Sequence, residues 1–506
     1  MRLPHSLLSA TALGLLASAS AGQSGSDLPW HGKDGPLVRA DGSPWRPELQ
    51  LELVFPALAQ PAPFRAQLPI DGEWVEVDLR PYSLRSADFR LLVIDGSGVP
   101  REVEAPPART YRGAVVGRAD TEVRASLDEL GRLSAVVETP AGRWTVEPLS
   151  RYVPGSSPLS HAVYSHANRV ASRGECGVID PIAPPGATTP GEEQEEASGS
   201  APGPYGTGGS FHEHSSSPHD DEPLEAKMLS YRAGGLACYI DYEYYQWAGN
   251  STASAVANVE QLLGEVSAKY DDNGVGPFRF NFVGAVLKTG PGYLYPSTDV
   301  SDLLSEFTAD WLKSNYYGYE YGTKADFYHL FTGRDLDGSA LGLAYVDDVC
   351  DTNGAFGLSE TTFTSDLSDR NWLTSHELGH NFGSGHDGDC NGLFDDKCQV
   401  MCPSIDTFSC ASIGISWSSQ ARDAVNAGIA LSCFDPATGT IHADIASSHP
   451  FPDGTAMLPF QTLATGLANT QSGWTLVLGD GTYDESVLTL NQPMKLDATG
   501  GTARIE

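Results

Sequence analysis

Residues 366–387 read DLSDRNWLTSHELGHNFGSGHD, and within them a histidine at 376, a glutamate at 377 and histidines at 380 and 386 are spaced H-E-x-x-H-x-x-G-x-x-H. This run constrains the chain more than any other. His376 and His380 are four residues apart, so a helix presents both imidazoles on one face, about one turn from each other. Asp366, Ser368 and Asp369 are candidate N-caps of that helix, and Trp372 and Leu373 supply it with an apolar side. Gly383 permits the left-handed turn that ends the helix and brings His386 back as a third nitrogen ligand. Three neutral imidazoles leave one position open around a zinc ion, which is the arrangement of a catalytic rather than a structural site. Glu377 is not needed as a ligand. Beside the ion its carboxylate is the expected general base, taking a proton from water and returning it to a leaving amine.

The rest of the 506-residue chain must build a scaffold around this helix, and its patterning divides it into five parts. Residues 1–21 carry a basic residue, a short apolar run and small residues at Ala19 and Ala21, the pattern of a cleaved signal peptide. The run is too short to span a bilayer, and no later stretch of eighteen apolar residues follows, so the expectation is a secreted protein that is not membrane-embedded. Residues 22–180 alternate with period two between Gly and Asp-Gly turns, as in EWVEVDLRPYSLR and DFRLLVIDGSG, and read as an antiparallel β module. Residues 181–224 are Pro, Gly, Ser and Glu with no Lys or Arg, an acidic linker whose FHEHSSSPHDD binds metal weakly at most. From 225 to 436 strand and helix patterns alternate. CYIDYEYYQW, FRFNFVGAVLKT, ADFYHLFTG and LGLAYVDD read as strands, whereas TASAVANVEQLLGEVSAKYDD, STDVSDLLSEFTADWLKSNY and SSQARDAVNAGIALS read as helices. Together they imply an α/β layer with a mixed sheet. Residues 437–506 have short strands between glycine-rich turns, similar to the opening coils of right-handed parallel β-helices, with too few coils to be stable alone.

Charge narrows the partners. With 31 Lys and Arg against 65 Asp and Glu, the net charge of −34 repels phosphate backbones and argues against nucleic acid and anionic membrane surfaces. Eight cysteines in an exported chain read as up to four disulfides.

H-E-x-x-H-x-x-G-x-x-H is the signature of the metzincin zinc metalloproteases, and Asp387 directly after the third histidine resembles the adamalysin (reprolysin, ADAM-type, M12B) branch. DFYHLFTGRDLDGSALGLAYVDDVC is similar to that branch's strand before the substrate groove, and ISWSS with the helix to Cys433 to its C-terminal end. The resemblance covers about 226–434, and more loosely 22–180 as a propeptide (TYRGAVVG, GRWTVEPLSRY, HAVYSHANR). It implies an α/β metzincin catalytic domain acting as a zinc endopeptidase on protein or peptide substrates and made as a latent zymogen. It further implies Met401 of CQVMCP as the apolar floor beneath the zinc histidines, and Gly342, Leu343 and Ala344 as the edge strand that pairs with substrate. A Cys350–Cys433 disulfide and Asp326 as a candidate calcium ligand also follow from it. Cys176-Gly177-Val178 matches the cysteine switch of such propeptides, in which the thiolate takes the fourth position on zinc. A Cys176–Cys238 disulfide is the rival reading. The pairing of Cys238, Cys390, Cys398, Cys402 and Cys410 stays open, as do a metzincin of another branch and a surface-binding or adhesion protein in which proteolysis is secondary.

Overall fold

A computed structural model describes residues 31–32, 35–36, 45–169, 173–176, 232–436 and 440–505. Within these ranges the stretches 57, 59, 119, 154, 271–274, 277, 293, 314–324, 351–354, 388–389, 391–397, 407–414, 432–433, 448–458, 471–473, 485–493 and 500 are excepted. The signal peptide and the acidic linker 181–224 lie outside the described residues, as do Gly177, Val178, Cys410 and Cys433.

The centre of the molecule is a ten-stranded mixed sheet. Its middle is built from Arg232–Ile240, Phe278–Lys288, Phe327–Thr332 and Ala355–Glu360, all parallel to their neighbours, with Ala340–Ala344 antiparallel to Ala355–Glu360. The parallel strands are near-continuous apolar runs because both of their faces are covered. On one face lie the long helix Thr252–Lys269 and the helix Leu367–Asn381, which carries His376 and His380, packed around Phe278, Phe280, Phe327 and Phe382. On the other, the helix Val300–Lys313 sets Leu303, Leu304, Phe307 and Trp311 against Leu330, Phe356 and Leu358.

Two local departures from the sequence reading have simple causes. CYIDYEYYQW is a strand only to Ile240; Asp241 then accepts a hydrogen bond from the Tyr244 N–H at 2.8 Å and opens the short helix Tyr242–Trp247. AFGLSE, residues 355–360, is a central strand that its short length and flanking loop residues hide in the sequence.

The larger departure concerns the N-terminal module. Eight of its strands form one antiparallel sheet around Leu68, Val77, Leu79, Val123, Leu133 and Val137. However, DFRLLVIDGSG is not part of it. The hairpin Arg85–Ile94 and Pro100–Val103 leaves this sheet and adds to the central one, parallel to Phe278–Lys288. At the opposite end Arg173–Cys176 lies between Ala340–Ala344, to which it is parallel, and Ser404–Asp406, to which it is antiparallel. The N-terminal region thus adds strands at both ends of the central sheet, with Ser404–Asp406 outermost at one end and Pro100–Val103 at the other.

Charged contacts hold the two sheets' layers together. Glu265 of the long helix, fully buried, accepts from Arg124 Nε at 2.8 Å and Arg143 Nη2 at 2.7 Å. Glu260, likewise buried, pairs with Arg85 at 2.9 Å. Gln261 accepts from Ser126 and donates to the Ser134 carbonyl. Beyond the catalytic region, Thr440–Ala443, Thr475–Leu478 and Lys495–Ala498 form one parallel sheet and Gly481–Tyr483 with Ala503–Ile505 another, enclosing Ile441, Trp474, Leu476 and Tyr483.

Candidate metal centre

The helix that carries His376 and His380 starts at Asp366, whose carboxylate accepts from the N–H groups of Ser368 (2.8 Å) and Asp369 (3.3 Å). It ends at Phe382, and Gly383 follows with φ +93°, the left-handed turn the sequence requires there. Beyond that turn His386 folds back over the helix. Its Nε2 stands 3.1 Å from His376 Nε2, which in turn is 2.9 Å from His380 Nε2.

Two of these three nitrogens, those of His376 and His380, meet as lone pairs. His376 Nδ1 lies 2.7 Å from the Val400 carbonyl and His380 Nδ1 2.7 Å from the Ser384 carbonyl, so each Nδ1 must carry the proton and each Nε2 is left as an acceptor. Burial pushes His376 well down from the ordinary histidine range, helped by its two histidine neighbours. Burial likewise lowers His380, with His386 beside it, to about 4, and His386 to about 4. Unprotonated imidazoles facing one another repel unless a cation joins them. Their separations approach the edge of about 3.3 Å that a tetrahedral zinc site with bonds of about 2.0 Å demands. The donor set therefore fits zinc, with His376, His380 and His386 to hold it.

Val400 and Met401 form the underside. The Val400 carbonyl accepts from Trp372 Nε1 at 3.1 Å as well as from His376, and its N–H donates to the Ser416 carbonyl at 2.8 Å. Met401 is fully buried, and a Cβ on Gly379 would sit 2.5 Å from its sulfur, so the helix comes down directly on the methionine between the two histidine turns. A disulfide joins Cys390 to Cys402 beside it, which answers one pairing the sequence left open. Cys350 and Cys398 are also disulfide-bonded. The expected partner of Cys350, Cys433, lies outside the described residues.

Glu377 is completely buried beside the first histidine, and burial raises its carboxyl well above the usual range, offset in part by the neighbouring Cys176 thiol. Gly342 is what lets it stand there: a Cβ on that residue would come within 2.8 Å of Glu377 Cδ and 3.0 Å of Cγ. Leu343 points to the other face of the sheet, into the core beneath Val300–Lys313, and Ala344 pairs with Gly357. The strand expected to be an open edge is therefore covered, by Arg173–Cys176. Glu175 N–H donates to the Ser339 carbonyl at 2.8 Å and Cys176 N–H to the Pro403 carbonyl at 2.9 Å. This threads Cys176 into the cleft, where its sulfur, a His376 nitrogen and a Glu377 oxygen all lie within 4.8 Å of one another. Burial, and then the Glu377 carboxylate, push the Cys176 thiol well up. Cys176 and Cys238 are both free and do not pair, and Cys238 is enclosed in the apolar core.

Asp326 accepts from the Gly235 N–H at 2.7 Å and returns its own N–H to the Gly235 carbonyl. It belongs to neither cluster of three or more potential metal ligands among the described residues. Sequence reasoning missed the Val400 and Ser384 carbonyls, which orient the imidazoles and carry no side-chain signature. It named Asp369 only as a candidate N-cap and missed its buried ion pair, at 2.9 Å, with Arg169 of the N-terminal module.

An imidazole triad on a helix and the turn after it, a carboxylate at the first ligand's neighbour and a mixed sheet alongside resemble the arrangement of a metzincin-type metallopeptidase domain. Residues 256–387 match the Metallo-peptidase family M12B Reprolysin-like, so this region of the chain resembles that reprolysin family. A relative is the zinc metalloproteinase recombinant fibrinogenase II of Deinagkistrodon acutus, 32% identical over 135 residues. The match spans 25% of this chain and about half, 52%, of that relative's length.

Proposed function

We propose that the chain is an exported zinc-dependent endopeptidase held latent by its own N-terminal region. What carries this reading is the convergence of three imidazole Nε2 atoms with Glu377 beside them and Cys176 threaded into the same cleft. Zinc, when bound, supplies a Lewis acid that polarises a peptide carbonyl and acidifies water. Everything else falls to side chains and backbone. His376, His380 and His386 hold the ion; the Val400 and Ser384 carbonyls set the tautomers of the first two, and the turn at Gly383 brings in the third. Glu377, pressed between Gly342 and the helix, takes a proton from water and delivers it to the amine nitrogen of the scissile bond.

Substrate main chain binds along Gly342, Leu343 and Ala344, where Arg173–Cys176 now lies, since a free strand edge accepts any extended peptide with little regard for its side chains. Cys176 is the residue that blocks the ion in the precursor, and removal of its strand opens the cleft. The leader at residues 1–21 directs export; among the described residues no helix is long and apolar enough to cross a membrane.

The test is Glu377→Ala in the activated enzyme. Zinc content measured by elemental analysis stays at that of the parent, while peptide cleavage falls by roughly 10²–10⁴-fold. Retained cleavage refutes the role of Glu377.

A further inference from the structure

The strands that the N-terminal region adds at the two ends of the central sheet differ in how firmly they are built in. At the active-site end, Arg173–Cys176 pairs through two residues with Ala340–Ala344 and three with Ser404–Asp406, and of its described side chains Glu175 is exposed and only Cys176 buried. At the far end, Arg85–Ile94 runs six residue pairs alongside Phe278–Lys288, from Arg85 opposite Phe282 to Ile94 opposite Lys288. Further bonds lie at both limits of the ladder: Phe282 N–H to the Leu84 carbonyl and Thr289 N–H to the Ile94 carbonyl, each 2.8 Å, and Lys288 Nζ to the Asp95 carbonyl at 3.0 Å.

Side chains enter both cores of the catalytic region from this one strand. Leu91 and Val93 join the cluster of Phe280, Phe282 and Val256, whereas Leu92 and Ile94 join that of Val286, Leu303 and Phe307. Phe89 and Phe282 rings meet at 4.8 Å. A strand buried on both faces is an interior strand, and Pro100–Val103 then takes the exposed rim of the sheet. Without the hairpin, Phe278–Lys288 presents a row of unpaired N–H and C=O groups flanked by uncovered apolar side chains.

We propose that the hairpin Arg85–Val103 is a permanent part of the catalytic domain. Cutting the chain beyond Cys176 then yields a two-piece particle. The N-terminal fragment remains on the Phe278–Lys288 edge, and only the strand carrying Cys176 withdraws. The proposal rests on the reading of this region as a removable propeptide and changes what removal means: relief of inhibition and departure of the fragment are separate events.

The experiment uses the full chain with a site-specific protease sequence inserted between residues 200 and 201. After cutting, the protein is passed over size exclusion at low salt and at about 1 M salt, where ionic contacts are screened. The two fragments are expected to co-elute under both conditions, with the Phe278–Lys288 amides protected from hydrogen exchange as in the uncut chain. Separation at either salt, with the 232–436 region folded and those amides still protected, overturns the proposal. Separation at high salt alone assigns retention to the Arg–Glu contacts and also overturns it. In the cut Cys176→Ser variant, peptide cleavage rises by at least tenfold while the fragments still co-elute. Co-elution without any cleavage leaves the hairpin assignment standing and counts against the protease reading instead.

Discussion

Replacing Gly342 by alanine asks the cleft to hold one carbon more than it has space for. The added Cβ comes within 2.8 Å of Glu377 Cδ and 3.0 Å of Cγ, and closer still to Oε1. Ordinary contact begins at 3.4 Å. Glu377 sits on a helix whose residues are all buried, so the backbone cannot give way and the carboxylate must swing aside by roughly 1 Å. A misplacement of that size costs about 10²-fold in rate for a group whose task is to stand at a fixed point beside a reacting atom. The zinc nitrogens are untouched by the new methyl, so kcat/KM of activated Gly342→Ala falls about 10²-fold while zinc stoichiometry and chelator resistance match the parent. Steady-state kinetics on a quenched peptide, with zinc measured on the same preparation, reads both. Activity within about threefold of the parent refutes the argument that the glycine makes room for the base.

Arg169→Ala leaves the Asp369 carboxylate buried at the start of the active-site helix without this partner, and the precursor loses about 3–5 kcal/mol of stability by denaturant titration. A loss below about 1 kcal/mol refutes the importance of the pair. His161, fully buried, donates Nδ1–H to the Leu159 carbonyl and accepts the Leu133 N–H at Nε2, and burial lowers its pKa from 6.5 to about 4. The unfolded chain binds the extra proton between these values, so the stability His161 contributes is complete above pH 6.5 and is lost as pH falls to about 4. His161→Gln flattens that slope, and an unchanged slope assigns the pH dependence elsewhere. Thiol titration of the zinc-loaded precursor finds no reactive cysteine. Chelation frees Cys176, and denaturant adds Cys238. Silence at Cys176 after chelation refutes its role as the blocking ligand.

The meeting of the three histidines was legible because it is local: a spacing of four on a helix and a glycine-driven turn bring them together without reference to the rest of the fold. Long helices were legible for the same reason, as Thr252–Lys269 and Val300–Lys313 show. What escaped depends on partners far away in sequence. Arg85–Ile94 has the same alternating look whether it pairs within its own module or with Phe278–Lys288, and nothing in its residues distinguishes the two. Tyr242–Trp247 escaped because aromatic residues favour strands, and one aspartate cap outweighs that preference. Backbone carbonyls such as those of Val400 and Ser384 leave no signature at all, although they decide which nitrogen of His376 and His380 faces the cleft.

All fifteen residues of Leu367–Asn381 are buried, polar ones included. A helix with no solvent-facing side has no positions at which substitutions are free, and here most of them serve packing and chemistry at once. Substitutions tolerated at the cleft are therefore expected in the loops and strands that border it, with the helix as the fixed hub between them.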